Sequence, residues 1–156
     1  MILAIDPGTT ESGWVCMKFD VPVDSGVVEN DRMRDIVLNF VRAGAGNRLA
    51  IEMIASYGMP VGAEVFETCL WIGRFVEIAR FHGITAELIY RRDVKMHLCA
   101  NARAKDGNIR QALLDLIGPQ GTKKAPGPTY GIKSHAWAAL AVAATALNMQ
   151  PNRRAA

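Results

Sequence analysis

The sequence predicts an α/β fold, a central mixed sheet of about five strands flanked by helices, in a single domain over residues 1–150. Three observations carry this. Short apolar runs suited to buried strands recur at 2–5, 14–17, 23–29, 48–52 and 84–89. Longer segments with apolar positions at helical spacing stand between and after them, at about 31–43, 64–82, 106–117 and 135–147. The 156 residues, half of them apolar, are enough for one proper core.

The first run, Ile2 to Ile5, delivers a carboxylate, Asp6, and is stopped at once by Pro7-Gly8, which turns the chain sharply. Strands through Trp14–Met17 and Val23–Glu29 complete an antiparallel meander. A charge at the end of a central strand is costly unless a metal ion or a phosphate-binding turn needs it; the same turn also serves in ordinary hairpins. Asn30-Asp31 is expected to cap a helix running to about Ala43, with Met33, Ile36, Val37, Phe40 and Val41 at helical spacing and Gly44 and Gly46 ending it. Arg48–Glu52 is a further apolar strand that again ends in an acid. If the two strands are neighbours, Asp6 and Glu52 fall at one edge of the sheet, where they repel each other unless a divalent cation lies between them. A lone edge glutamate facing water is the plainer alternative.

The loop 55–63 holds Gly58, Pro60 and Gly62 and carries Tyr57 and Met59. An exposed aromatic there can stack on an unpaired base, and a tyrosine tucked under its own loop is the other reading. Glu64 to His82 forms the longest helix. Its expected buried stripe is Val65, Cys69, Ile72, Val76 and Ala79, yet Phe66, Leu70, Trp71, Phe75 and Ile78 spread apolar surface nearly all round. Such a helix is sandwiched in the core or shared with a second subunit. Gly83 closes it and Ile84–Ile89 is the last strand. A short helix follows from Tyr90-Arg91-Arg92 to about Cys99, then a loop, Ala100–Lys105, and a helix over Asp106–Ile117. Gly118–Gly131, with Lys123-Lys124, is irregular and expected to be mobile until it meets a partner. Ser134 is read as the N-cap of a closing helix that buries Ala136, Ala139, Leu140, Ala143 and Leu147. His135 then falls in its first turn, where the helix dipole keeps an imidazole neutral and able to bind metal; a surface histidine is the alternative. Residues 151–156, with Arg153 and Arg154, are expected to form a frayed basic tail.

The net charge of +3 hides an asymmetry. Residues 1–90 carry 7 Lys/Arg against 12 Asp/Glu, a balance of −5, and residues 91–156 carry 11 against 3, a balance of +8. A half this basic is the electrostatic footprint of a polyanion-binding surface, with a merely solvated basic face as the alternative. No apolar stretch approaches the ~20 residues of a membrane helix, and the short N-terminal run holding Asp6 is no signal peptide. Cys16, Cys69 and Cys99 have no paired spacing and read as reduced core residues. A cytoplasmic protein without membrane partners is expected.

Asp6-Pro7-Gly8-Thr9-Thr10 resembles the phosphate loop of actin- and chaperone-like ATPases. Ile5-Asp6-Pro7-Gly8, followed by a small polar residue and then Gly13-Trp14, also resembles the first motif of RuvC-type Holliday junction resolvases. Both families have ribonuclease-H-like folds. The ATPase fold needs two lobes, for which this chain has no room. The resolvase resemblance extends through the Ala50-Ile51-Glu52 strand, the long helix, Val94-Lys95, the Ala100–Lys105 loop with its following helix, and Ala139–Ala143; in brevity and divergence the chain is most similar to a phage-encoded member. It implies a homodimer through helix 64–82 that nicks branched DNA, four-way junctions above all, with Mg²⁺ (or Mn²⁺) held by Asp6, Glu52 and His135 as catalytic ligands. It also implies phosphate contacts at Lys95 and Lys105, and Tyr57 or Met59 at the junction centre. Thr9, Arg91, Arg92, Arg103, Lys123 and Lys124 complete the expected DNA contacts. The family carries two acids, or a histidine and an acid, three apart on the last helix; here the second falls on Ala138. Glu64, Glu67 or Asp93 are possible substitutes. The alternative is a junction-binding protein of the same fold that cuts poorly or not at all, and an RNA-processing nuclease is a further possibility.

Overall fold

A computed structural model describes residues 1–44 and 46–149. Its elements are β1 (Ile2–Pro7), β2 (Glu11–Lys18), β3 (Val21–Glu29), α1 (Asn30–Arg42), β4 (Arg48–Met53), α2 (Ala63–Phe81), β5 (Glu87–Tyr90), α3 (Arg91–Cys99), α4 (Asp106–Ile117) and α5 (Ala136–Ala146). The five strands form one sheet in the order β3-β2-β1-β4-β5. The first three pair antiparallel, while β1 with β4 and β4 with β5 pair parallel, so the sheet is mixed as expected. The expected tail, 151–156, lies outside the described residues.

Alternation along the strands assigns the two faces. Ile2, Ala4, Val15, Met17 and Ala50 face one way and pack with Val94, Leu98, Ile109, Leu113 and the alanine-rich α5. Leu3, Ile5, Cys16, Leu49 and Ile51 face the other and pack with Met33, Val37 and Phe40 of α1 and Ile72, Phe75 and Ala79 of α2. The central strands are covered on both sides, which is why their sequences are continuous apolar runs. The small side chains of α5 let it lie directly on the sheet: every residue from Ala139 to Ala144 is fully buried.

Several local expectations are corrected. Asn30 does not cap α1 with its side chain; it is buried, accepts a hydrogen bond from Ser12 Oγ at 2.6 Å and donates to the Gly8 carbonyl at 3.0 Å. Its polar group is used to tie the β1–β2 turn to the head of the helix. Ser134 is not the N-cap of α5 either. It stands in the left-handed region at φ 45°, and His135 occupies the cap position without a side-chain cap bond. On α2 the buried stripe is Thr68, Ile72, Phe75 and Ala79, so the expected Val65–Cys69–Val76 positions are only half-buried. With apolar residues on both sides, the spacing alone did not decide which face the core takes. The segment 118–131 is closed on itself: Thr122 and Ala125 exchange backbone hydrogen bonds, Gly127 N–H donates to Gln120, and buried Thr129 donates to the Gly118 carbonyl.

Candidate functional site

The parallel register sets Ile5 beside Ile51, so the next residues, Asp6 and Glu52, stand side by side where the β1–β4 pairing ends. The period of two that puts Ala4 and Ala50 against α5 also aims both carboxylates toward that face. His135, at the head of α5, comes within 3.2 Å of Asp6 Oδ2 through its Nδ1. Chain ends 129 residues apart thus meet at the site.

Both carboxyl groups are shielded by the fold. Asp6 is 18% exposed and its pKa is raised by burial, against the lowering pull of His135. Glu52 is raised further, to about 7, by burial first and by the charge of Asp6 second, with Arg91 pulling it back. Arg91 is the first residue of α3. Its Nη1 lies 3.6 Å from Glu52 Oε2, an ion-pair distance beyond hydrogen-bond reach, and both atoms are buried without a hydrogen bond. Its Nη2 donates to Asp106 at the start of α4. Asp106 escaped the sequence reading, although its charge acts on both Asp6 and Glu52. Only its position after Lys105, opening a helix, marked it. Glu64, Glu67 and Asp93, the substitutes considered for the missing acid, are exposed.

Two cavities meet at Arg91. One, of about 240 Å³, is bounded by Arg91, Asp106, Arg110, His135, Trp137 and Ala138. Here the Arg110 guanidinium lies over the Trp137 ring at 4.6 Å. The other, of about 350 Å³, is lined by Tyr57, Arg91, Arg92, Lys95 and Ala102. Tyr57 and Met59 are exposed on the loop after β4. Arg103 and Lys105 are exposed on the α3–α4 connection, and Thr9 is half-buried in the turn after β1. Lys123 and Lys124 sit on the turn of the 118–131 segment and line neither cavity.

Among the described residues no group of three His, Cys, Asp or Glu side chains is arranged to hold a metal ion. Asp6 and Glu52 are adjacent, but the buried oxygen of Glu52 faces a guanidinium and Ala138 offers no donor. As arranged, these residues do not fit the expected Mg²⁺ site.

No protein-family model and no curated protein matches the chain. Solved structures do. The structure of Thermus thermophilus RuvC is similar with a TM-score of 0.68 and 22% identity, covering 94% of this chain and 93% of that one. That of T. thermophilus RuvC in complex with Holliday junction substrate is similar with a TM-score of 0.69 and 21% identity, covering 92% and 90%. Over nearly its whole length, the chain has the ribonuclease-H-like architecture that these structures share.

Proposed function

We propose that this chain binds branched DNA, four-way junctions in preference to linear duplex, and that its carboxylate centre cuts weakly or not at all. The observation that carries the reading is the placement of Arg91. It joins a cavity lined by Tyr57, Arg92 and Lys95 to the edge that holds Asp6, Glu52 and His135. Cationic side chains there suit phosphates, and the exposed Tyr57 ring suits an unpaired base. Similarity to a structure that contains a Holliday junction points to the same class of ligand. The misfit of these residues to a metal site favours binding over cutting.

A second reading is favoured by the adjacency of Asp6 and Glu52: a metal-dependent endonuclease, dimeric through α2, that makes paired nicks. A divalent ion would supply charge stabilisation at phosphorus. Asp6, Glu52 and His135 are the residues that would have to rearrange to hold it.

The test is a gel-shift of a labelled four-way junction beside matched linear duplex, with cleavage followed in Mg²⁺, Mn²⁺ or chelator. Preferential junction binding without nicks is the expected result. Paired metal-dependent nicks confined to the junction would establish the second reading, and equal affinity for both DNAs would sink the junction preference.

A further inference from the structure

We propose that Arg91 is a built-in counter-ion for this edge, a tethered guanidinium that neutralises Glu52 and Asp106 so that a DNA phosphate is accepted there without a divalent cation. The inference rests on the reading that a DNA backbone passes this edge.

Three carboxylates, Asp6, Glu52 and Asp106, act on one another here, and each repels an incoming phosphate. A centre of this kind needs positive charge before a polyanion can approach. In this chain the charge is covalently attached. β5 pairs with β4 so that Ile89 lies beside Glu52 and Tyr90 beside Met53, and Arg91 is the next residue along. Its side chain thus starts just past the end of β5, on the same side of the site as Glu52 in β4. A planar guanidinium with five donors, charged at every working pH, can face two carboxylates at once, which an ammonium does less well. Arg91 does this with Nη1 toward Glu52 and Nη2 toward Asp106.

The two partners differ. Glu52 is 14% exposed and fixed in the sheet, whereas Asp106 is 85% exposed at the open mouth of the site. Asp106 is therefore the partner a phosphate can replace: its oxygen leaves Nη2 and a phosphate oxygen takes the same donor. Glu52 stays neutralised throughout. Lys95 and Arg110, on the walls of the two adjoining cavities, add positive charge along the path.

The experiment is junction affinity by fluorescence anisotropy, in chelator and in Ca²⁺, for the parent, Arg91→Gln, Arg91→Lys and Asp106→Asn, with thermal unfolding of each. The parent should bind equally well in both media. Arg91→Gln should lose about tenfold or more in chelator and recover most of it in Ca²⁺, because the exposed acids then need an external cation. Arg91→Lys should fall between them, and Asp106→Asn should bind at least as tightly as the parent in chelator. A parent that needs Ca²⁺ to bind overturns the proposal. So does an Arg91→Gln loss that Ca²⁺ does not restore, which would mean that Arg91 acts through its phosphate bond alone and not by neutralising the acids, and so does an Arg91→Gln protein that binds like the parent in chelator. Should Arg91→Gln not fold, the parent's comparison of media and the sign of the Asp106→Asn effect decide the matter. No junction binding by the parent in either medium would instead remove the reading on which the inference rests.

Discussion

Gly13 and His135 are in direct contact: a β-carbon on Gly13 would lie 2.4 Å from the carbonyl carbon of His135 and 2.7 Å from its Cβ. Gly13 is also the cross-strand partner of Asp6 in the β1–β2 pair. The missing side chain is what lets the head of α5 settle over the strand and bring the imidazole to the carboxylate.

Gly13→Ala should therefore damage both stability and the site. The atoms in the way are His135 backbone, which cannot rotate aside as a side-chain tip does. Overpacking of this kind costs roughly 1–3 kcal/mol, and the upper end is expected here. Denaturant unfolding gives the stability loss, and the His135 imidazole resonances report the broken Asp6 contact. Unchanged resonances and stability would show that α5 can slide without cost.

Asn30→Ala should destabilise by about 1–3 kcal/mol, because it strands the buried Ser12 Oγ and the half-buried Gly8 carbonyl. Asn30→Asp should be no better: it keeps the acceptor for Ser12, loses the donor to Gly8 and buries a charge. If Asn30→Asp unfolds at the same denaturant concentration as the parent, the Gly8 bond contributes nothing.

Glu52→Gln should stabilise the protein in mildly alkaline buffer. The unfolded chain releases the Glu52 proton near the ordinary 4.5 and the folded chain near 7. Across that window the folded state binds more protons, so stability falls as pH rises from about 4.5 to 7, and the penalty is complete above it. The rise from 4.5 to about 7 corresponds to a penalty on the order of 3 kcal/mol. Glutamine removes it, at the cost of the ion pair with Arg91. Urea unfolding should show the variant ahead of the parent at pH 8 and level with it at pH 4. A variant weaker than its parent at pH 8 would mean that the Arg91 pairing outweighs the burial.

The helix α2 leaves Phe66 and Leu70 more than 60% exposed, one turn apart, while Ile72, Phe75 and Ala79 are taken up by the core. A second copy of the chain is the expected cover. Leu70→Glu should convert a dimer to a folded monomer in sedimentation, with any fall in the unfolding midpoint no larger than the loss of the association term. A parent that sediments as a monomer at all concentrations would refute this use of α2.

The sheet and the two acids at its edge were legible because strand alternation is local: Ala4 and Ala50 facing α5 already commit Asp6 and Glu52 to the same side. Helix extents were legible for the same reason. What escaped the sequence depends on contacts between distant segments. Asn30 has the side chain of a cap, and nothing nearby in the sequence reveals that Gly8 and Ser12 need its amide. Ser134 likewise has the side chain of a cap, and nothing local shows that its backbone is left-handed. Asp106 escaped because the turn between α3 and α4, not any spacing to Asp6 or Glu52, carries it to Arg91.

Lys95 and Lys105 should report the DNA path through the salt dependence of binding. Lys95 lines the Tyr57–Arg92 cavity, and Lys105 is exposed one residue before Asp106, at the other end of the Arg91 bridge. If a backbone runs from one cavity to the other, each lysine neutralises about one phosphate. Removing it should weaken junction binding and reduce the slope of log affinity against log salt by about one. Lys124→Ala, on a turn that lines neither cavity, should leave the slope within error of the parent's. The three slopes discriminate between paths. A change at Lys95 alone would confine the DNA to the Tyr57 side of Arg91. A change at Lys124 equal to the others would carry the backbone over the 118–131 segment and away from the carboxylate edge.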